Sequence, residues 1–342
     1  MDHDLLALVS NTPGVSGYED PIQEVVADFL RPLCDEVRRD RLGNVIALRR
    51  ATVPSADSER PLRVMLAAHA DENGMMVKQI DGDGHIRFQR VGGLNSPSLT
   101  SQLVTIHGRR PVRGVIVPDT KGDKLTPVDD LLIDVALPRE EVCELVEVGD
   151  IITLAQEFVA LNDKVVLGRN FDDRLGTYCL LEAMRRVGPT AVDVYAVSTV
   201  QEEVGVRGAH VATFAVAPDL GLAIDGSLTH GGYVKPHDSL CALGKGTGIY
   251  IMDGLTLGAP RLLRFLYDLC AAHGITYQRN IGGGTDASAM QRSREGALVT
   301  TVGAPTRYMH STVQLAHVDD IEATVALLVA FLEHAHEMEG AR

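Results

Sequence analysis

Apolar residues first recur at helical spacing in the segment after Gly17. Asp20 is placed to cap, Pro21 suits a first turn, and Ile22, Val25, Val26, Phe29, Leu30 and Leu33 repeat at three and four residues until Pro32 stops the helix. The pattern then turns strand-like. Residues 36–50 read as a hairpin turning at Gly43 and Asn44, residues 51–61 as a polar surface loop, and Arg63 to Ala68 as a buried strand that leads into His69.

From about Gly74 to Lys164 the texture is one of short β-rich pieces (HIRFQRV, QLVTIHG, VRGVIVP, LLIDVAL, DIITLAQEF) between Gly, Pro and Asp turns, with a single helical stretch near Arg139 to Leu145. This reads as a small β-barrel or sandwich inserted in the chain. Beyond Val165 helix and strand alternate. LGTYCLLEAMRRVG is a helix, VDVYAVSTV and LGLAIDGS are strands, and APRLLRFLYDLCAAHG is a helix bounded by Pro260 and Gly274; ALVTTVGAP follows as a strand and HVDDIEATVALLVAFLEHAHEM as a long terminal helix. Such alternation predicts an α/β fold whose mixed, mostly parallel sheet is covered by helices on both faces. Residues 1–73 and 165–342 would form that domain, with residues 74–164 as the β-rich insertion.

Composition narrows the function. At 342 residues and 45% hydrophobic the chain can bury a sizeable core. No apolar run approaches the roughly 18 residues of a membrane span, and MDHDLLALVS lacks the features of a secretion signal, so a cytoplasmic protein is expected. The cysteines, odd in number and never spaced CxxC, read as reduced thiols, mostly in the core. A net charge of −14 without a basic, aromatic-interleaved block argues against nucleic acid and anionic membranes as partners, and bound cations could neutralise part of it. With no Trp and only 4% aromatics the stacking platforms of sugar sites are scarce, which disfavours polysaccharide.

Five stretches carry candidate chemistry. His69 and Asp71, at the end of the strand RVMLAA, share a side at strand period, so Asp71 could hold the second nitrogen of a ligating His69. Asp172 and Asp173 lie where VVLG gives way to a helix; Asp173 suits a helix N-terminus, and Asp172 could bridge two cations. Glu202 and Glu203 follow a buried strand side by side, which repulsion disfavours unless a cation or proton intervenes. One could ligate while the other serves as general base, although paired carboxylates also serve glycosidases. Asp225 after LGLAI and His310 in RYMHS complete the set, and four of the five stretches fall at or just after predicted strand ends, where open α/β sheets place ligands. The remaining histidines read as structural or solvated, His334 and His336 because a spacing of two shares no helical face. Gly282, Gly283 and Gly284 match no phosphate-loop pattern and read as letting backbone approach the site.

In chain order, GVSGYE, AAHADENGMMV, FDDRLG, VQEEVGVRGA, AIDGS, LGKG, GTDAS and RYMHS resemble the M42 metallopeptidases, the TET-type aminopeptidases, over nearly the whole chain. The resemblance implies two divalent metals, zinc or cobalt, with His69 and Asp225 on one, Glu203 and His310 on the other and Asp172 between them. It further implies Glu202 as general base, Asp71 orienting His69, peptide substrates, and an inserted dimerisation domain in a homo-oligomer built from dimers, up to a tetrahedral dodecamer. Where relatives have a PHL-type segment this chain has VIVPDTKGDKLTP, and Thr247 follows LGKG where Pro is frequent. A di-metal deacylase on non-peptide substrates and a metal-independent glycosidase are the alternatives.

Overall fold

The computed structural model describes residues 1–54, 60–94, 96–119, 126–232 and 234–341. In chain order the elements begin with α1 (His3–Asn11), α2 (Asp20–Leu30), β1 (Glu36–Arg39), β2 (Val45–Arg49) and β3 (Arg63–His69). Next come β4 (Gly74–Ile80), β5 (Ile86–Val91), β6 (Leu103–His107), β7 (Pro111–Pro118), β8 (Leu131–Asp134), α3 (Arg139–Leu145) and β9 (Ile151–Leu154). Then follow β10 (Val159–Ala160), β11 (Val165–Gly168), α4 (Phe171–Arg186), β12 (Asp193–Thr199), α5 (Arg207–Val216), β13 (Leu220–Ile224) and β14 (Ser227–Leu228). The last part holds β15 (Thr247–Met252), α6 (Pro260–His273), β16 (Tyr277–Ile281), α7 (Ala287–Gln291), β17 (Leu298–Gly303), β18 (Pro305–Arg307), β19 (Gln314–His317) and α8 (Val318–His334).

Strand β3 shows how the sequence builds the main layer. Its side chains alternate: Val64, Leu66 and Ala68 join one core with Leu6, Ile22, Leu180 and Phe331, whereas Met65 and Ala67 join another with Ala212, Val216, Ala287 and Met290. Helices α1, α2, α4, α6 and α8 therefore cover one face, and α5 and α7 the other. The sheet runs β1-β2-β12-β3-β13-β17-β15-β16. Its β12/β3, β3/β13, β13/β17 and β15/β16 pairs are parallel and the remaining ones antiparallel, which is the mixed, parallel-containing α/β sheet anticipated. Parallel order aligns the C-terminal ends of β3, β12 and β13 on one edge.

Strands β4 to β9 close a barrel in the order β4-β5-β8-β7-β6-β9 around Met75, Ile86, Val104, Ile106, Ile116 and Ile152. The chain leaves this barrel before β10, which pairs with β11 in a second sheet, β10-β11-β19-β18-β14. That sheet was not anticipated, because two- and three-residue strands such as β10, β14 and β18 are too short to show a period. Among the described residues no helix is long and apolar enough to cross a membrane.

One local expectation changes. Helix α2 starts at Asp20, with Glu19 in the capping position, and ends at Leu30; Leu33 packs on the core from the turn beyond. Asp20 is free to pair with Arg39 because it does not cap. Of the expected surface loop at 51–61, residues 55–59 lie outside the described residues, as do residues 120–125 of VIVPDTKGDKLTP. The cysteines are all free thiols, with Cys179, Cys241 and Cys270 buried, Cys34 half-buried and Cys143 exposed.

Candidate metal centre

Four of the predicted site residues leave their strands at the same edge of the main sheet, and Asp172 and His310 come from elsewhere in the fold. His69 is the last residue of β3, Asp225 follows β13, and Glu202 and Glu203 occupy a turn after β12 in which the Gly205 and Val206 N–H groups donate to the Glu202 carbonyl at 2.9 Å. Asp172 lies in the first turn of α4, and His310 in the connection between β18 and β19 with φ +59°.

Asp172 is the hinge of the arrangement. Its Oδ1 lies 3.3 Å from His69 Nε2 and its Oδ2 3.2 Å from His310 Nε2, so the two carboxylate oxygens face different imidazoles. Donor atoms of His69, Asp172 and Asp225 gather within 4.8 Å of one another, and so do those of Asp172, Glu203 and His310. The two adjacent glutamates diverge as expected: Glu202 Oε2 is 3.9 Å from His69 Nε2, and Glu203 Oε2 is 3.8 Å from His310 Nε2.

The supporting contacts are specific. Asp71 Oδ1 lies 3.3 Å from His69 Nδ1, the position anticipated for an orienting carboxylate, although β3 has ended and Asp71 reaches back from the turn beyond it. The same carboxylate accepts from the Ser16 hydroxyl at 2.6 Å and from the Glu202 and Glu203 N–H groups at 2.9 and 3.1 Å. Asp172 N–H donates to the Gln314 side chain at 2.8 Å. Asp173 accepts from Gly176 N–H at 2.9 Å, which is the helix-terminal role expected of it.

Several participants were assigned no role from the sequence, although Asn73 and Asp286 lie within AAHADENGMMV and GTDAS. Asn73 Nδ2 donates to Glu203 while its oxygen accepts from Gly93 N–H, and Gly93 also offers its carbonyl to His310 Nδ1 at 3.2 Å. Asp286, buried beside the glycine run, accepts from Thr199. Its place beside Glu202 depends on how α7 packs on the sheet, which local sequence does not reveal. Of the histidines set aside, His85 does have carboxylate company, with Asp81 and Asp83 in the β4/β5 turn, and His334 hydrogen-bonds Glu337 at 2.9 Å. Both partnerships are local, within one turn of hairpin or helix.

Electrostatics makes the centre uncomfortable without cations. Burial raises the pKa values of Glu202, Asp225 and Asp173 well above the carboxylate range, reinforced by their acidic neighbours, and pushes Glu203 up to about 8 and Asp286 to about 6. Burial acts the same way on Asp172, but His310 and His69 outweigh it and hold that carboxyl below its ordinary range. The Asp172 hydrogen bond, against a smaller desolvation effect, lifts His310 to about 10. Seven buried or nearly buried carboxylates (Asp71, Asp172, Asp173, Glu202, Glu203, Asp225, Asp286) thus face two imidazoles. A donor set of His nitrogens and carboxylate oxygens in two triads that share one carboxylate fits two divalent cations.

The centre opens into a cavity of about 560 Å³ whose further walls include Leu228, Asp238, Tyr250, Ile281, Gly283 and Met309. That is the size of a small-molecule or side-chain site. The glycines at 282–284 do line it, as expected of a backbone that approaches the site, and Gly282 and Gly283 hold φ of +122° and +85°.

Comparison with known proteins places the chain in a family. A family model described as M42 glutamyl aminopeptidase matches residues 43–327. The lysyl aminopeptidase of Pyrococcus furiosus is 36% identical over 99% of this chain and 99% of its own. Among solved structures, an aminopeptidase of the archaeon Desulfurococcus kamchatkensis superposes with a TM-score of 0.93 at 32% identity, covering 99% of this chain and 97% of that one. The TET1 peptidase of Pyrococcus horikoshii, which can assemble into a tetrahedron or a large octahedral shell, gives a TM-score of 0.84 at 31% identity over 96% of this chain and 98% of its own.

Proposed function

The chain belongs to the M42 family of aminopeptidases and is a peptidase, and from that premise we propose that it releases N-terminal residues from peptides at a two-cation centre with Glu202 as general base. The observation that carries this reading is Asp172, whose two oxygens face the imidazoles of two separate donor triads. His69 and Asp225 would hold one cation, Glu203 and His310 the other, with Asp172 shared; zinc or cobalt suits such nitrogen and oxygen donors. When bound, the pair supplies Lewis-acid polarisation of the scissile carbonyl and lowers the pKa of the attacking water.

The protein's own residues do the rest. Asp71 holds His69 by its Nδ1 edge. Glu202, next to the triads but a member of neither, takes a proton from the attacking water as its oxygen bonds to the carbonyl carbon. The C–N bond then breaks and Glu202 passes that proton to the leaving nitrogen. Residues 1–73 and 165–342 form the catalytic unit in this reading, and residues 74–164 a dimerisation domain from which dimers, and by likeness to the TET1 peptidase larger shells, are built.

Glu202→Gln tests the assignment. The variant should retain both metals, counted by mass spectrometry, and lose turnover by about 10²- to 10⁴-fold, the usual worth of a general base. Turnover near the parent level would reject Glu202 as base. A parallel screen of amino-acyl anilides against N-acyl amino acids should show activity on the anilides; preference for the acyl amino acids would point to a deacylase.

A further inference from the structure

Glu19 lies outside both donor triads, yet it is only 5% exposed. Its Oε1 accepts from Gly17 N–H at 2.7 Å and, 182 residues along the chain, from Gln201 N–H at 3.0 Å. Gln201 immediately precedes the proposed base and holds φ +57°, the left-handed region that a residue with a side chain adopts at some cost. The hydrogen bonds that follow belong to Asp71, which takes the Glu202 and Glu203 N–H groups and is itself braced by Ser16. Three successive amides, from Gln201 to Glu203, are therefore held by two buried carboxyl groups. Ser16 and Glu19, three residues apart before α2, touch both ends of that grip.

We propose that Glu19 is a positioning residue for catalysis: its carboxyl oxygen clamps the Gln201 amide, keeps the turn after β12 in its left-handed start, and so aims Glu202 at the reacting water. The proposal rests on Glu202 as general base. What the geometry requires of Glu19 is an acceptor at a fixed reach. Glutamine keeps that reach and offers a carbonyl oxygen, so the negative charge is dispensable. Aspartate keeps the charge and falls one methylene short. A base displaced by about 1 Å can cost on the order of 10²-fold in rate.

The test compares Glu19→Gln and Glu19→Asp, both metal-replete, on an amino-acyl anilide series. Glu19→Gln should keep kcat within about threefold of the parent, and Glu19→Asp should lose about 10- to 100-fold in kcat. KM and metal content should stay unchanged in both. A merely structural role would not rank the variants by reach over charge at constant KM. An aspartate variant with parental kcat, a glutamine variant more than tenfold impaired, or losses that track metal content would each overturn the proposal. If the aspartate variant does not fold, a glutamine variant more than tenfold impaired still overturns the proposal. Glu202→Gln, run alongside, separates the two readings: its retained turnover would remove the base assignment and this proposal together. An inactive Glu202→Gln beside a fully active Glu19→Asp would remove this proposal alone.

Discussion

Gly93 shows how narrowly single residues are placed around His310. A Cβ added there would lie 2.5 Å from His310 Nδ1 and 2.9 Å from its Cε1, closer than real Cβ contacts come. The ring, which already spends Nδ1 on the Gly93 carbonyl, would have to move away from Asp172 and Glu203. Gly93→Ala should therefore weaken binding of one of the two proposed cations by about 10- to 100-fold, the usual effect of disturbing a ligand's support, and leave the other alone. Metal competition titrations read this directly; two parental affinities would contradict it. His69, Asp172, Asp225 and the glutamate pair could be proposed from the sequence because their stretches cluster at predicted strand ends and match family segments, although all but the adjacent glutamates read singly as caps or surface residues. Gly93 and Asn73 were not proposed. Their importance comes from β5 delivering its end to a loop that starts at β3, a contact that no local pattern encodes.

The element beneath the centre, the first turn of α4 and the chain before it, is anchored by a buried ionic cluster. Arg169 donates to Glu72 at 2.8 and 3.1 Å, Arg174 reaches the same carboxylate at 3.4 Å, and Asn170 and Gly14 each donate to it at 3.0 Å. Arg174 also caps the carbonyls of Ala70, Val9 and Thr12, tying α1 and the end of β3 to α4. Removing one member of such a cluster leaves buried charge unpaired, so Glu72→Ala should cost about 3–5 kcal/mol in urea unfolding. An unchanged midpoint would show that the cluster is not a stabilising anchor. The pH dependence follows from the carboxyl itself. Burial pushes the Glu72 pKa up, but Arg169 and Arg174 outweigh it and hold the group below its ordinary value. A depressed folded-state pKa means that the stabilisation is present above the unfolded value near 4.3 and is lost as pH falls through the folded one. The stability gap between the parent and Glu72→Gln should accordingly shrink below about pH 4. This cluster, like the second sheet, was hidden from sequence reading. Long periodic helices such as α6 and α8 announce themselves, whereas an Arg to Glu pairing 97 residues apart does not.

At the scale of the whole molecule, the net charge of −14 and the buried carboxylates are parts of one problem. The strands that end at a common edge bring acidic groups together out of water. The fold can hold them only by protonating some, as the raised pKa values of Glu203, Asp225 and Glu202 indicate, or by accepting cations. A cation that binds the folded chain alone stabilises it by mass action, by about 2.7 kcal/mol when present at 100 times its dissociation constant. Exhaustive chelation should then abolish aminopeptidase activity and lower the thermal midpoint in the same titration, and zinc or cobalt should restore both. The two readouts separate the possibilities: a fallen midpoint with activity intact would make the cations structural, whereas activity and midpoint both surviving at zero measured metal would return the Glu202 and Glu203 pair to the metal-independent chemistry that paired carboxylates also support.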